Sequence, residues 1–193
     1  MTDYEILFER HKGNPLLTAR DWHHPAHTVF NPGATLLRDG TTQLLCRVED
    51  RRGHSHLCAA RSKSGIDGWV VDPTPTFPAQ PDLHHEELWG VEDPRITWVE
   101  ELSKYVVAYT AFSKDGPGVA LALIKDFRTF ERVGLVMHPE DKDAALLPCR
   151  INGSFALIHR PVSDHAANIW ISFSPYLRNW VGHKPMLLAR KGA

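Results

Sequence analysis

Short runs of β-branched and aromatic residues alternate along this chain with polar stretches dense in turn formers. Thr28–Phe30, Gln43–Val48, Lys104–Thr110, Val119–Ile124, Ser154–His159 and Ile169–Phe173 are strand-length runs of this kind. Among them and around them fall 13 glycines and 14 prolines, the residues that punctuate turns. No window of about a dozen residues carries the period of an amphipathic helix. The pattern predicts an all-β chain.

The pattern also repeats. Leu44 to Trp69, Tyr105 to Phe130 and Phe155 to Trp180 share one layout: an apolar strand, a polar turn, a second strand, a Ser- or Lys-containing corner, then an aromatic residue. A further strand precedes each segment, beginning near Asn31, Asp93 and Ala144. With one strand after the aromatic, each unit has four strands in about 50–60 residues, the size of a β-propeller blade. A β-sandwich also repeats hairpins, but it does not require a shared corner and aromatic. The expectation is one domain over residues 1–193, a partial propeller of about three to three and a half blades. On that expectation, exposed blade edges would invite a second copy of the chain, so a homo-oligomer is an expected state.

Composition narrows the function. Apolar residues make up 42% and charged residues 23%, and the net charge is −1. Nothing here points to nucleic acid or an anionic membrane as a partner. No apolar run approaches the length of a membrane span, and Met1–Asn14 lacks the apolar core of a secretion signal. The cytoplasm is the expected compartment. Three cysteines, Cys46, Cys58 and Cys149, make no disulfide framework, and the first two read as small buried hydrophobes. Among 12 histidines, His54 and His56 lie on one strand face and so suit a shared metal, but no further ligands recur at zinc spacing. No metal site is expected.

In a propeller the innermost strands line a central channel, so equivalent polar positions of successive blades converge. Asn31 and Asp93 open the first two inner strands. Arg47, Tyr109 and the His159-Arg160 pair fall at nearly one place in the strand that follows. Adjacent acids on a strand point to opposite faces, so one of Glu92 and Asp93 should enter the channel and the other leave it. In a partly dry channel such a carboxyl can serve as a general acid. Equally, Glu92 can pair with Arg95 at the surface and Asp93 can be a turn residue before Pro94. Lys142 and Arg160 are cations suited to an anion such as phosphate; equally, Lys142 can pair with Asp141 or Asp143 in a solvated loop, and Arg160 can pair at the surface.

Taken together, Phe30-Asn31-Pro32-Gly33-Ala34, Arg47-Val48-Glu49-Asp50, Ala60-Arg61-Ser62, Gly90-Val91-Glu92-Asp93-Pro94-Arg95, Tyr109-Thr110-Ala111, Lys125-Asp126-Phe127, Lys142-Asp143-Ala144-Ala145-Leu146 and His159-Arg160-Pro161 resemble glycoside hydrolase family 130, the mannoside phosphorylases. The resemblance implies a five-bladed propeller and inverting phosphorolysis of β-mannosides by one catalytic acid, matched by Asp93. Asn31, Arg47, Arg61 and Tyr109 are then expected at the sugar, and Lys142, His159 and Arg160 at phosphate. No cofactor is implied; inorganic phosphate is the co-substrate and an oligosaccharide the substrate. The proton is expected to pass through a sugar hydroxyl. Family members are longer, and their later blades carry further phosphate and sugar contacts. A hydrolase on the same fold and a non-catalytic sugar-binding fragment are the alternatives.

Overall fold

The computed structural model describes residues 7–162 and 167–190. Among these residues, twelve strands form three successive antiparallel meanders of four. The first comprises β1 (Thr28–Leu36), β2 (Thr42–Glu49), β3 (Ser55–Ser62) and the two-residue β4 (Val70–Val71). The second comprises β5 (Gly90–Val99), β6 (Lys104–Ser113), β7 (Gly116–Ile124) and β8 (Phe130–Met137). The third comprises β9 (Asp141–Leu146), β10 (Phe155–Pro161), β11 (Ile169–Ser174) and β12 (Val181–Leu187). Helical structure among the described residues is confined to three short 3-10 turns. The all-β reading and its three units are thus observed. The run Thr28–Phe30 and the strand expected after it are one strand, β1, continued across a bulge between Phe30 and Gly33.

Strand composition follows burial. β6 is nearly all apolar because both its faces are covered. Tyr105, Val107 and Tyr109 enter a core shared with Leu45, Leu57 and Phe77 of the first meander and its outgoing loop. Val106 and Ala108 enter a second core with Leu146, Phe155 and Leu157 of the third. Packing therefore runs meander against meander, through two apolar layers. A third cluster, with Trp22, Cys46, Val48 and Cys58, lies on the other face of the first meander, and both cysteines are buried and unpaired.

The first strands of the meanders lie side by side. A Cβ on Gly33 of β1 would stand 2.7 Å from the Pro94 carbonyl of β5, so only glycine permits this approach. The Thr97 hydroxyl of β5 donates to the Leu146 carbonyl of β9 at 2.9 Å. The first two meanders also join at one parallel pairing, Ser55 to Gly90. There Gly90 has φ +126°, and an added Cβ would meet the Ser55 backbone at 2.4 Å.

Candidate functional site

The first strand of each meander carries one left-handed Asn or Asp: Asn31 (φ 44°), Asp93 (φ 48°) and Asp143 (φ 55°). Asn and Asp are the non-glycine residues that tolerate this region best. Each pairing to the next strand is irregular at this point, between Phe30 and Gly33, between Glu92 and Arg95, and between Ile158 and Arg160. One bulge thus recurs three times, and each recurrence re-aims a polar side chain.

The bulge corrects the expectation for the paired acids. Strict alternation would send Glu92 and Asp93 to opposite faces. With Asp93 left-handed and the register broken, both carboxylates turn to Arg47 instead, and both residues are buried. Arg47 Nη1 donates to Glu92 Oε2 at 3.0 Å and to Asp93 Oδ1 at 3.2 Å. Its Nη2 donates to Glu49 Oε2 at 3.0 Å and lies 2.8 Å from Glu92 Oε1. Its Nε donates to the Ser55 hydroxyl at 2.9 Å, and the Phe30 ring lies under the guanidinium at 4.5 Å. Asn31 Nδ2 donates to the same Asp93 oxygen at 3.0 Å. Asn31, Arg47 and Asp93, from three strands of two meanders, therefore form one cluster. Arg95 instead donates to the neighbouring Pro94 carbonyl and makes no pair with Glu92.

Burial pushes the Glu92 carboxyl above its ordinary range. The charges of Asp93 and Glu49 add to that push, and Arg47 and Lys142 oppose it. Lys142, on β9, is thus close enough for its charge to reach Glu92. Among the described residues it has no ion-pair or hydrogen-bond partner. Its cross-strand neighbour Arg160 is engaged by Asp143, with Nε donating at 2.7 Å.

Register explains why other expected residues lie elsewhere. Phe30, Glu92 and Lys142 each precede a bulge residue, and they pair with Arg47, Thr110 and Arg160. Thr110, not Tyr109, is therefore the counterpart of Arg47. A displacement of one position puts a side chain on the other face. Tyr109 consequently lies in the core between the first two meanders, where its hydroxyl donates to the buried Glu87 at 2.9 Å. Arg132 Nε donates to the same Glu87 oxygen at 2.8 Å. Burial and the Glu87 charge hold the phenol well above its ordinary range.

His159 is displaced in the same sense from Arg160. It is buried, with Nδ1 at 2.5 Å from Asp141 Oδ2 and Nε2 at 2.7 Å from the Ser172 hydroxyl, which in turn meets His183 Nδ1 at 2.7 Å. This chain of side chains crosses all four strands of the third meander and occupies both ring nitrogens. Arg61 pairs in register with Gln43, four residues along β2 from Arg47, and is bound by Asp72. The cluster does not contain it. His56 meets His24, Nε2 to Nε2 at 2.8 Å, and no group of three or more metal-ligating side chains is found among the described residues.

Glu92 as an equal partner, Glu49 and Ser55 were not singled out from sequence. For Glu49 a signal exists: it stands two residues after Arg47 on one strand and so shares its face.

Fold and site together define a class: all-β chains of repeated four-stranded meanders that bring residues of different meanders to one polar cluster. The sequence matches the family model for beta-1,4-mannooligosaccharide phosphorylase over residues 8–192, and the chain belongs to glycoside hydrolase family 130. It is 34% identical to the 1,2-beta-oligomannan phosphorylase of Thermoanaerobacter sp. (strain X514), over 94% of this chain and 62% of that protein. It is 27% identical to the beta-1,4-mannooligosaccharide phosphorylase of Ruminococcus albus, over 96% of this chain and 56% of that one. Among solved structures, the beta-1,2-mannobiose phosphorylase of Listeria innocua in complex with beta-1,2-mannobiose superposes with a TM-score of 0.83 at 26% identity. That superposition covers 95% of this chain and 67% of that one. The chain thus spans about three-fifths of the length of the first of these curated relatives.

Proposed function

We propose that the protein phosphorolyses β-mannosides with inversion, and that its meanders are blades of the five-bladed propeller the resemblance implies. The observation that carries this reading is the convergence of Asn31, Arg47 and Asp93 on one half-buried cluster, with Lys142 close enough to be felt there and Arg160 beside it in register.

Asp93 is the proton donor. A phosphate oxygen attacks the anomeric carbon from the face opposite the leaving group, the glycosidic C–O bond breaks, and the departing oxygen takes the proton. The products are α-mannose 1-phosphate and a sugar shortened by one residue. A water-using inverting enzyme needs a second carboxylate as base. Phosphate is already an anion, so it needs only cations to hold it, and Lys142 and Arg160 are assigned that role. Asn31 orients Asp93 and has its amide oxygen left for a sugar hydroxyl. His159, Arg61 and Tyr109, which the resemblance put at phosphate and sugar, take supporting roles, since each is engaged by protein away from the cluster.

The relatives act on β-1,2- and β-1,4-linked mannosides by their names, so both mannobioses are test substrates. With phosphate, the wild-type chain is expected to release mannose 1-phosphate from one of them. Asp93→Asn, which keeps the Asn31 and Arg47 contacts but holds no transferable proton, should lower kcat by at least about 100-fold. Full activity in that variant would remove Asp93 from the role.

A further inference from the structure

Arg47 is expected at the sugar, yet its donors are spent on protein. Four hydrogen bonds reach Ser55, Glu92, Asp93 and Glu49, and a second Glu92 oxygen lies 2.8 Å from Nη2. The guanidinium is thus a clamp that holds two adjacent carboxyls, and one nitrogen, Nη1, serves both. We propose that Glu92 is a positioning residue for the proton donor. Through the nitrogen it shares with Asp93, it fixes that carboxyl, and its own carboxyl lets the pair hold a proton to higher pH.

This inference rests on Asp93 being the acid. Its physical basis is a charge count. From β2 the cluster is faced by Arg47 and Glu49, from β5 by Glu92 and Asp93, and from β9 by Lys142. Asn31 of β1 is neutral, and the Asp143–Arg160 pair beside Lys142 balances itself. Three carboxyls therefore face two cations. The last of the three to ionise would leave the site with an excess negative charge in a buried setting, which favours retention of its proton. Adjacent carboxyls in this situation titrate as a pair rather than singly. Burial already holds Glu92 above its ordinary range. An acid catalyst must still carry a proton at working pH, and a second carboxyl at its side supplies that condition without a second catalytic contact.

Glu92→Gln tests it. The amide keeps the size of the side chain and leaves two carboxyls against two cations, so the last proton departs at lower pH. The alkaline limb of the kcat–pH profile should move down by about one unit, so that kcat above the limb falls about tenfold. KM for phosphate should stay within about twofold. Glu92→Asp keeps the charge on a shorter arm. Its limb should remain where the wild-type limb lies while kcat falls, and it serves as the test if the Gln variant does not fold. A wild-type limb in Glu92→Gln, or a limb displaced in Glu92→Asp by as much as in Glu92→Gln, overturns the proposal. If the wild-type chain shows no phosphate-dependent turnover, the functional reading fails separately. Carboxyl-carbon NMR titration then decides the inference: a proton retained on the Glu92/Asp93 pair and lost at lower pH in Glu92→Gln supports it, and two carboxyls titrating independently contradict it.

Discussion

At the scale of single residues, one position of register decides whether a side chain joins the polar cluster's face or the core. Thr110 and Tyr109 are adjacent, yet Thr110 occupies the place equivalent to Arg47 while Tyr109 supports a buried carboxylate. Tyr109→Phe should therefore act on stability. It removes one hydrogen bond to a buried charged group, at a cost of about 1–3 kcal/mol, and should leave KM for the mannoside within about twofold. Thermal denaturation beside steady-state kinetics reads both. A large rise in KM with unchanged melting would return Tyr109 to the sugar. The sequence could not separate these neighbours, because the recurrent bulge shifts the pairing by an amount that no periodicity reports. The same bulge defeated the expectation that Glu92 and Asp93 diverge. What the sequence did carry was the chemistry of the bulge itself: Asn31 and Asp93, each before a proline, are the residue types that accept a left-handed backbone.

At the scale of elements, the strands and their three-fold repeat were legible because every unit obeys the same alternation and ends in the same kind of corner. The corner residues Phe127 and Leu177 are both left-handed and both buried, so each corner is anchored in an adjacent core. Less legible was the backbone pairing that joins the first two meanders at Ser55 and Gly90, which no side-chain pattern reports. Ser55 also accepts from Arg47 Nε, so the junction and the site share a residue. Gly90→Ala would place a Cβ against Ser55 backbone atoms in a conformation that L-residues avoid. We expect a loss of about 2 kcal/mol or more of stability, together with lower kcat because Arg47 loses its support. Equilibrium unfolding measures the first effect. An unchanged midpoint would show that the two strands can part without cost.

Across the whole molecule, the order of packing explains how a site can be drawn from residues far apart in sequence. The second meander packs against the first through one apolar core and against the third through another, and the bulges of β1 and β5 meet at the Asn31–Asp93 contact. The segment before β1 is joined to this body by Trp22 in the third core and by the His24–His56 contact. Burial lowers both imidazoles, His56 to about 4, so the folded state favours their neutral forms. An unfolded His takes up its proton near 6.5. The contribution of His56 is therefore complete above about 6.5 and is lost as pH falls from there toward about 4. The melting temperature should decline across that window, and His56→Gln should flatten the decline. An equally steep decline in the variant would place the acid sensitivity elsewhere.

The central claim is that three inner strands assemble an inverting phosphorolysis site around Asp93. Its most direct test is 31P and 1H NMR of the chain incubated with β-1,2- and β-1,4-mannobiose in inorganic phosphate. The account predicts that α-mannose 1-phosphate is the first product from at least one of them, and that nothing forms when phosphate is withheld. Free mannose released without phosphate, or a β-configured phosphate ester, would contradict it.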